Sequence, residues 1–117
     1  RCRPMTPPRT DPLLALRDAL REFADARDWD QFHSPKNLAA ALAVEAAELL
    51  EHYQWSETAS DPAKVREELA DVLLYLIRLA DKLDVDLTAA ARDKIVLNAK
   101  KYPVEKARGS ARKYTDL

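Results

Sequence analysis

Three segments of the chain begin in the same way, with a capping residue followed directly by proline. The pairs are Asp11-Pro12, Ser34-Pro35 and Asp61-Pro62. A capping side chain accepts a backbone N–H of the first turn, and the fixed φ of proline suits the first helical position. No glycine or further proline follows any of these starts for more than twenty residues. The pattern therefore predicts three long helices joined by short connectors.

A fourth helix is expected near the end of the chain. The first three should run over 12–27, 35–54 and 62–83, and the fourth from the cap Asp86 to about Lys101. Tyr102-Pro103 ends it, because the residue before proline disfavours the α region. The chain has a single glycine and is rich in Ala, Leu and charged residues, which also favours helices. The sequence predicts an all-α protomer, a four-helix bundle.

The length of 117 residues fits one domain. We expect a disordered tail at 1–11, a helical domain at 12–103, and a basic arm at 104–117 that is either mobile or closes over a site. The net charge of −1 gives no signal for a nucleic acid polymer, and no apolar run reaches transmembrane length. Cys2 is the single cysteine, so no intrachain disulfide forms, which is compatible with a cytoplasmic location.

Two short acidic pairs lie on the second and third predicted helices. Glu45 and Glu48 form one pair, and Glu68 and Asp71 form the other, each three residues apart. This spacing places the acids of a pair on one helix face, roughly 5–6 Å apart at Cβ. Leucines at helical spacing flank both pairs, so the acids lie in or beside a stripe that should face the core. A carboxylate facing inward is costly unless a cation or donor meets it, and oxygen ligands favour Mg²⁺, with Mn²⁺ as an alternative.

A metal held by these acids suggests chemistry on a polyphosphate. The ion would bind phosphate oxygens and lower the pKa of a water that attacks phosphorus. Lys94 and Lys101 would hold the remaining phosphate charge. Trp29, Trp55 and Tyr75 could stack on a base. For Trp29 a second interpretation stays open, as an aromatic plug at the end of the core.

The two histidines do not favour another metal centre. A di-iron carboxylate bundle would need a Glu-x-x-His motif on each of two helices. His52 follows Glu48 by four residues, and no histidine follows Glu68. His33 is expected to be solvated or to cap a helix.

The third helix is apolar almost all round between Leu69 and Ala80. A helix buried on one side needs only an apolar stripe, so a second copy of the chain should cover the other side. The sequence therefore predicts a homo-oligomer.

The motifs Glu45-x-x-Glu48 and Glu68-x-x-Asp71 resemble the metal motif of the MazG-like all-α nucleoside triphosphate pyrophosphohydrolases. The likeness runs from Leu13 to the C-terminus. It points to the dCTP pyrophosphatase branch through the segments Phe23–Trp29, Asn37-Leu38, Gln54-Trp55, Tyr75, Lys94-Ile95, Asn98, Lys101–Pro103 and Arg112–Thr115. The resemblance implies hydrolysis of a (deoxy)nucleoside triphosphate, dCTP or a modified dCTP, to the monophosphate and pyrophosphate. It also implies Mg²⁺ on the four acids and a role in cleaning the nucleotide pool.

The same resemblance assigns roles to other residues. It places the base beside Trp29 and Trp55, the nucleotide in contact with Tyr75 and Asn98, and the phosphates near Lys94 and Lys101. It also implies dimers that pair into tetramers.

Leu20 stands where some dCTP-specific members carry a histidine, so a dUTP-preferring or broad-specificity hydrolase remains an alternative. The alternative outside the enzymes is a non-catalytic helical interaction module, whose acids form interchain salt bridges. Such a module predicts no Mg²⁺-dependent nucleotide binding.

Overall fold

The computed structural model describes residues 11–117, and these residues form helices and no strand. The helices are α1 (Pro12–Ala26), α2 (Pro35–Glu51), α3 (Pro62–Lys82), α4 (Leu87–Lys101) and the short α5 (Val104–Ala107), with 3₁₀ turns at Asp30–Phe32 and Tyr114–Asp116. The all-α prediction is confirmed. The segment after Pro103, predicted as a basic arm, contains a helical turn of its own.

All four predicted caps are formed. Their side chains accept backbone N–H groups at 2.9–3.1 Å, in the pairs Asp11–Leu13, Ser34–Asn37, Asp61–Lys64 and Asp86–Ala89. Asp11, the last residue of the predicted tail, is thus the N-cap of α1, as its pairing with Pro12 predicted. The rest of that predicted tail, residues 1–10, lies outside the described residues.

Three helices end earlier than the sequence predicted, and the hydrogen bonds at their C-terminal ends show why. Beyond Glu51, the N–H groups of His52, Tyr53 and Gln54 bond to carbonyls only three residues back, so α2 tightens into turns instead of continuing to Gln54. α1 and α3 end with an aspartate in the left-handed region, Asp28 at φ 54° and Asp84 at φ 55°. The following residues, Trp29 and Val85, each donate at 2.9 Å to a carbonyl five residues back. This is the Schellman arrangement that glycine usually permits.

The described residues fall into two compact units, 11–85 and 86–117. In the first unit, α2 packs extensively against α3, and α1 also packs on α3. Its buried apolar side chains are Ala24 of α1, Leu38 of α2, and Ile77 and Ala80 of α3. α3 is therefore the helix on which the other two are assembled.

One face of α3 is not covered within this unit. Leu69 is 53% exposed, and Leu73 and Leu76 remain more than a third exposed. At spacings of four and three residues they share one side of the helix.

The second unit consists of α4, α5 and the terminal 3₁₀ turn. In it the rings of Tyr102 and Tyr114 meet edge to face, with centroids 6.0 Å apart. Within residues 11–117, no helix has the length and apolar character needed to cross a bilayer.

Candidate active site

The structure brings the four predicted acids together between α2 and α3. α2 carries Glu45 and Glu48 one turn apart, and α3 carries Glu68 and Asp71 one turn apart. The helices run in opposite directions, since His52, the residue directly after α2, meets Glu68 in the first half of α3. Burial raises the pKa of Glu45, and the carboxylates of Glu48, Asp71 and Glu68 raise it further. The two pairs therefore form one cluster of negative charge.

Two oxygens in this cluster lack hydrogen-bond partners. Oε2 of Glu45 and Oε2 of Glu68 are buried and accept no hydrogen bond from the described residues. Oε2 of Glu68 lies 2.6 Å from Nε2 of His52, the distance of an ion pair when the imidazole is protonated, although no hydrogen bond of ordinary geometry forms there. A buried acceptor without a partner costs about 1–3 kcal/mol, so both oxygens suit a ligand that offers positive charge.

These acids are neighbours, but their side chains are not arranged to coordinate one ion. Within residues 11–117, no group of three or more His, Cys, Asp or Glu side chains has the spacing of a metal site. The donor set nevertheless fits a hard cation, because it consists of carboxylate oxygens, two of which are buried without a partner.

A cavity of about 260 Å³ opens beside the acids. It is lined by Leu20, Phe23, Ala24, Trp29, His33, Asp71, Leu74, Tyr75 and Arg78. The left-handed turn at Asp28 returns the chain so that the Trp29 ring meets the Phe23 ring edge to face, with centroids 5.6 Å apart. Trp29 lines this cavity and is 45% exposed, so its ring is accessible to a ligand there.

One face of α3 connects the acids to this cavity. Glu68, Asp71, Tyr75 and Arg78 follow one another at spacings of three or four residues, which places them in one row. Asp71 belongs both to the acidic cluster and to the cavity lining. Tyr75 lies one turn beyond it, as the sequence predicted. With a cation at the acids, a ligand with a flat ring and an anionic tail would match this row.

The far end of the row holds Arg78, a residue that the sequence analysis missed. Arg78 is only 6% exposed. Its Nε donates to Nδ1 of His33 at 3.1 Å, and its terminal nitrogens donate to Asp30 at 2.7 Å and Asp81 at 3.5 Å. The available signal was a single arginine inside the otherwise largely apolar stretch Val72–Ala80.

Four predicted substrate-binding residues are not among the residues that line this cavity. Trp55 follows α2 and is 88% exposed. Lys94, Asn98 and Lys101 are exposed on one face of α4, in the second unit. There, Nζ of Lys101 lies 5.0 Å from the centre of the Tyr114 ring. The roles of these four residues stay predictions.

Comparison with known proteins shows which family carries these four acids. Residues 40–117 match the model of the MazG-like family. The chain belongs to the MazG-like family. The resemblance drawn from the acidic motifs is thereby confirmed, and the matched region contains all four acids.

Relatives of this MazG-like chain include dCTP pyrophosphatase 1 from Mus musculus, which is 47% identical over 123 residues, covering 95% of this chain and 72% of the mouse protein. The dCTP pyrophosphatase 1 of Homo sapiens is 46% identical over 115 residues, covering 90% of this chain and 67% of the human protein. Among solved structures, a pyrophosphatase from Archaeoglobus fulgidus DSM 4304 aligns with a TM-score of 0.76 at 37% identity. The alignment covers 85% of this chain and 99% of that one.

Proposed function

We propose that this MazG-like protein hydrolyses a nucleoside triphosphate, foremost dCTP or a modified dCTP, to the monophosphate and pyrophosphate. The relatives named dCTP pyrophosphatase 1 support both the reaction and the base. The observation that carries the proposal is that Asp71 belongs both to the acidic cluster and to the aromatic cavity. A nucleotide with its base in the cavity would direct its phosphates toward the acids.

Glu45, Glu48, Glu68 and Asp71 would hold Mg²⁺, with Mn²⁺ as a substitute. The two buried oxygens without partners and the raised pKa of Glu45 support this assignment, because a cation would relieve both the desolvation and the repulsion. When bound, the ion supplies charge neutralisation at phosphate oxygens and a water of lowered pKa.

The residues of the cavity would hold the base. Trp29 and Tyr75 offer ring faces for stacking, and Phe23 supports the Trp29 ring from its edge. The walls around them are largely apolar and would exclude water from the base. Their arrangement suits a flat, uncharged ring system.

Further contacts are proposed from the family resemblance. Trp55 would border the base, Asn98 would contact the nucleotide, and Lys94 and Lys101 would lie near the phosphates. The exposed positions of these side chains leave them available for such contacts.

The assembly is proposed to be a four-helix-bundle protomer in a tetramer, built as a dimer of dimers. The support is the uncovered row of Leu69, Leu73 and Leu76 on α3. By its position around the helix this row lies away from Asp71, so a second copy could cover it without blocking the acids. Contiguous apolar surface of this kind usually marks an interface.

A substrate screen tests the proposed function. Pyrophosphate release is measured with Mg²⁺ for the common and modified nucleoside triphosphates, and we expect dCTP or a modified dCTP to be the best substrate. Preference for dUTP, or equal use of all bases, would favour the alternative hydrolases. A helical interaction module would bind no nucleotide and release no pyrophosphate.

Substitutions test whether hydrolysis of the triphosphate requires the acids. Glu48→Gln and Asp71→Asn remove one charge each with little change of shape, so turnover should be lost while the fold is kept. Glu51→Gln is the matched control, because Glu51 is exposed at the end of the same helix as Glu48. Wild-type turnover in both site variants would overturn the four-carboxylate site.

A further inference from the structure

His52 touches the acidic cluster, and the proposed function gives it no role. It is the first residue after α2 and lies one turn beyond Glu48. Its Nε2 is 2.6 Å from Oε2 of Glu68, and the two side chains are only 17% and 10% exposed. Exposed ion pairs contribute little to a protein because water and salt screen them. This contact is largely shielded from water, so its effect on Glu68 should be larger.

The backbone around His52 is fixed by the end of α2. The N–H of His52 bonds to the carbonyl of Leu49 at 3.3 Å, and the N–H of Tyr53 bonds to the carbonyl of Leu50 at 2.9 Å. The imidazole therefore leaves a hydrogen-bonded turn, and from there it reaches across to Glu68 on α3.

The same contact links the two helices that carry the acids. Among residues 11–117, no other ion pair or side-chain hydrogen bond joins α2 or His52 to α3. Glu45 and Glu48 come from one helix, and Glu68 and Asp71 come from the other, so the cluster depends on how its side chains are held across this pair. Within the described part of the chain, no other cation or donor contacts the Glu68 carboxylate. His52 is therefore the residue that can hold Glu68 in place.

An uncharged imidazole is sufficient to hold Glu68, and it does not oppose a cation nearby. Nε2–H is a donor, and the broad torsion of the histidine ring allows it to align with the carboxylate oxygen. A carboxylate offers about four lone-pair sites, so the contact with His52 leaves others for a metal ion. Carboxylates that bind metals are themselves fixed by hydrogen bonds, and removal of such a partner typically lowers metal affinity about 10–100-fold.

We propose that His52 is a positioning residue of the metal centre, and that its contact with Glu68 holds this carboxylate in the acidic cluster. The cluster then binds a divalent cation more tightly than the four acids would alone. The inference rests on the proposed function, because it takes Glu45, Glu48, Glu68 and Asp71 as the ligands of Mg²⁺. A purely structural ion pair between a protonated His52 and Glu68 predicts the opposite. Removal of its positive charge would leave Mg²⁺ binding unchanged or strengthen it.

Calorimetric titration with Mg²⁺ alone, without nucleotide, tests this role. His52→Leu keeps apolar bulk and removes the ring nitrogens, so the Kd for Mg²⁺ should rise about 10–100-fold. His52→Gln offers an uncharged N–H and should restore most of the lost affinity. Gln54→Leu is the control, because Gln54 is exposed in the same turn, and it should keep the wild-type Kd. Unchanged or tighter binding in folded His52→Leu would overturn the proposal, as would a loss of affinity that His52→Gln does not reverse.

Nitrogen-15 NMR of the wild-type imidazole decides the matter if His52→Leu does not fold by circular dichroism. As Mg²⁺ is added, the Nε2 resonance of His52 should shift with a midpoint at the calorimetric Kd. The reason is that its partner, the carboxylate of Glu68, comes to share its charge with the cation. A resonance that stays in place while Mg²⁺ binds would overturn the proposal.

The outcomes separate the role of His52 from the function on which it rests. If the wild type binds Mg²⁺ and releases pyrophosphate, and His52→Leu binds Mg²⁺ equally well, the role of His52 is wrong and the proposed function stands. If the wild type releases no pyrophosphate from any nucleoside triphosphate, the proposed function is wrong, whatever the variants of His52 do to Mg²⁺ affinity.

Discussion

Replacing Glu68 by glutamine should make the metal-free protein more stable. Glu68 is 8% exposed, and its Oε2 is buried without a hydrogen-bond partner in a cluster of four carboxylates. Glu68→Gln removes a negative charge from this cluster and nearly keeps the shape of the side chain. The amide nitrogen can also take the place of the oxygen that lies 2.6 Å from Nε2 of His52. The Glu68 carboxylate, which destabilises the metal-free fold, would be replaced by a neutral amide with a better hydrogen-bond partner.

The size of the effect follows from the cost of an unsatisfied buried group, about 1–3 kcal/mol. Because the amide relieves only part of that cost, we expect a gain of about 1 kcal/mol in the free energy of unfolding. For a chain of this length that corresponds to a rise of about 4 °C in Tm. Mg²⁺ at about one hundred times its dissociation constant should stabilise the wild type by about 2.7 kcal/mol, or roughly 11 °C. In the variant this response should nearly vanish.

Thermal unfolding followed by circular dichroism, with and without Mg²⁺, measures both quantities. Glu67→Gln is the control, because Glu67 is the exposed neighbour on α3 and forms only a surface pair with Lys64 at 3.6 Å. It should change stability by less than about 0.5 kcal/mol and keep the full Mg²⁺ response. If Glu68→Gln instead loses stability without metal and still responds to Mg²⁺, Glu68 is a structural ion-pair partner of His52 and not a metal ligand.

Three further predictions concern the base, the assembly and acid stability. Trp29→Ala should weaken dCTP binding by about 1–3 kcal/mol in calorimetry while circular dichroism shows an intact fold, and unchanged affinity would remove Trp29 from the site. Light scattering should give the wild type a mass that is a multiple of 13.2 kDa, and Leu69→Lys should reduce it; a wild-type monomer would contradict the proposed interface. The hydrogen bond from Arg21, and its charge, hold the pKa of Asp81 below its ordinary value of 3.8, so this stabilisation is present above that pH and is lost as the pH falls through the lowered pKa. The urea concentration at the unfolding midpoint should therefore fall as the pH is lowered below about 3.8, and it should fall less steeply in Asp81→Asn. An equally steep fall in the variant would show that another group causes the loss of stability.

Local signals in the sequence were enough to predict most of the helices. Asp11, Ser34, Asp61 and Asp86 each satisfy the first turn that follows them, so the helix starts could be read from single residues. Helix ends were harder. Asp28 and Asp84 have the left-handed backbone conformation that glycine usually adopts at the end of a helix. An aspartate in the sequence does not by itself predict this conformation.

The site was predictable where its residues follow helical spacing and unpredictable where they meet across the fold. The two acids of each pair are three residues apart, so the helix face that they share was visible in the sequence. The bond between Arg78 and His33 joins residues 45 positions apart, and it depends on how the 3₁₀ turn packs on α3. In the sequence, Arg78 is one charge in an apolar stretch and His33 is a lone histidine. Their roles emerge only from tertiary contact.

The products formed from dCTP decide whether the protein is a pyrophosphohydrolase. Wild-type protein is incubated with dCTP and Mg²⁺, and the nucleotides and phosphates are separated by ion-exchange chromatography. We expect dCMP and pyrophosphate in equal amounts from the wild type, and neither product from Glu48→Gln. Release of dCDP and orthophosphate, or no turnover of any nucleoside triphosphate by folded wild-type protein, would contradict it.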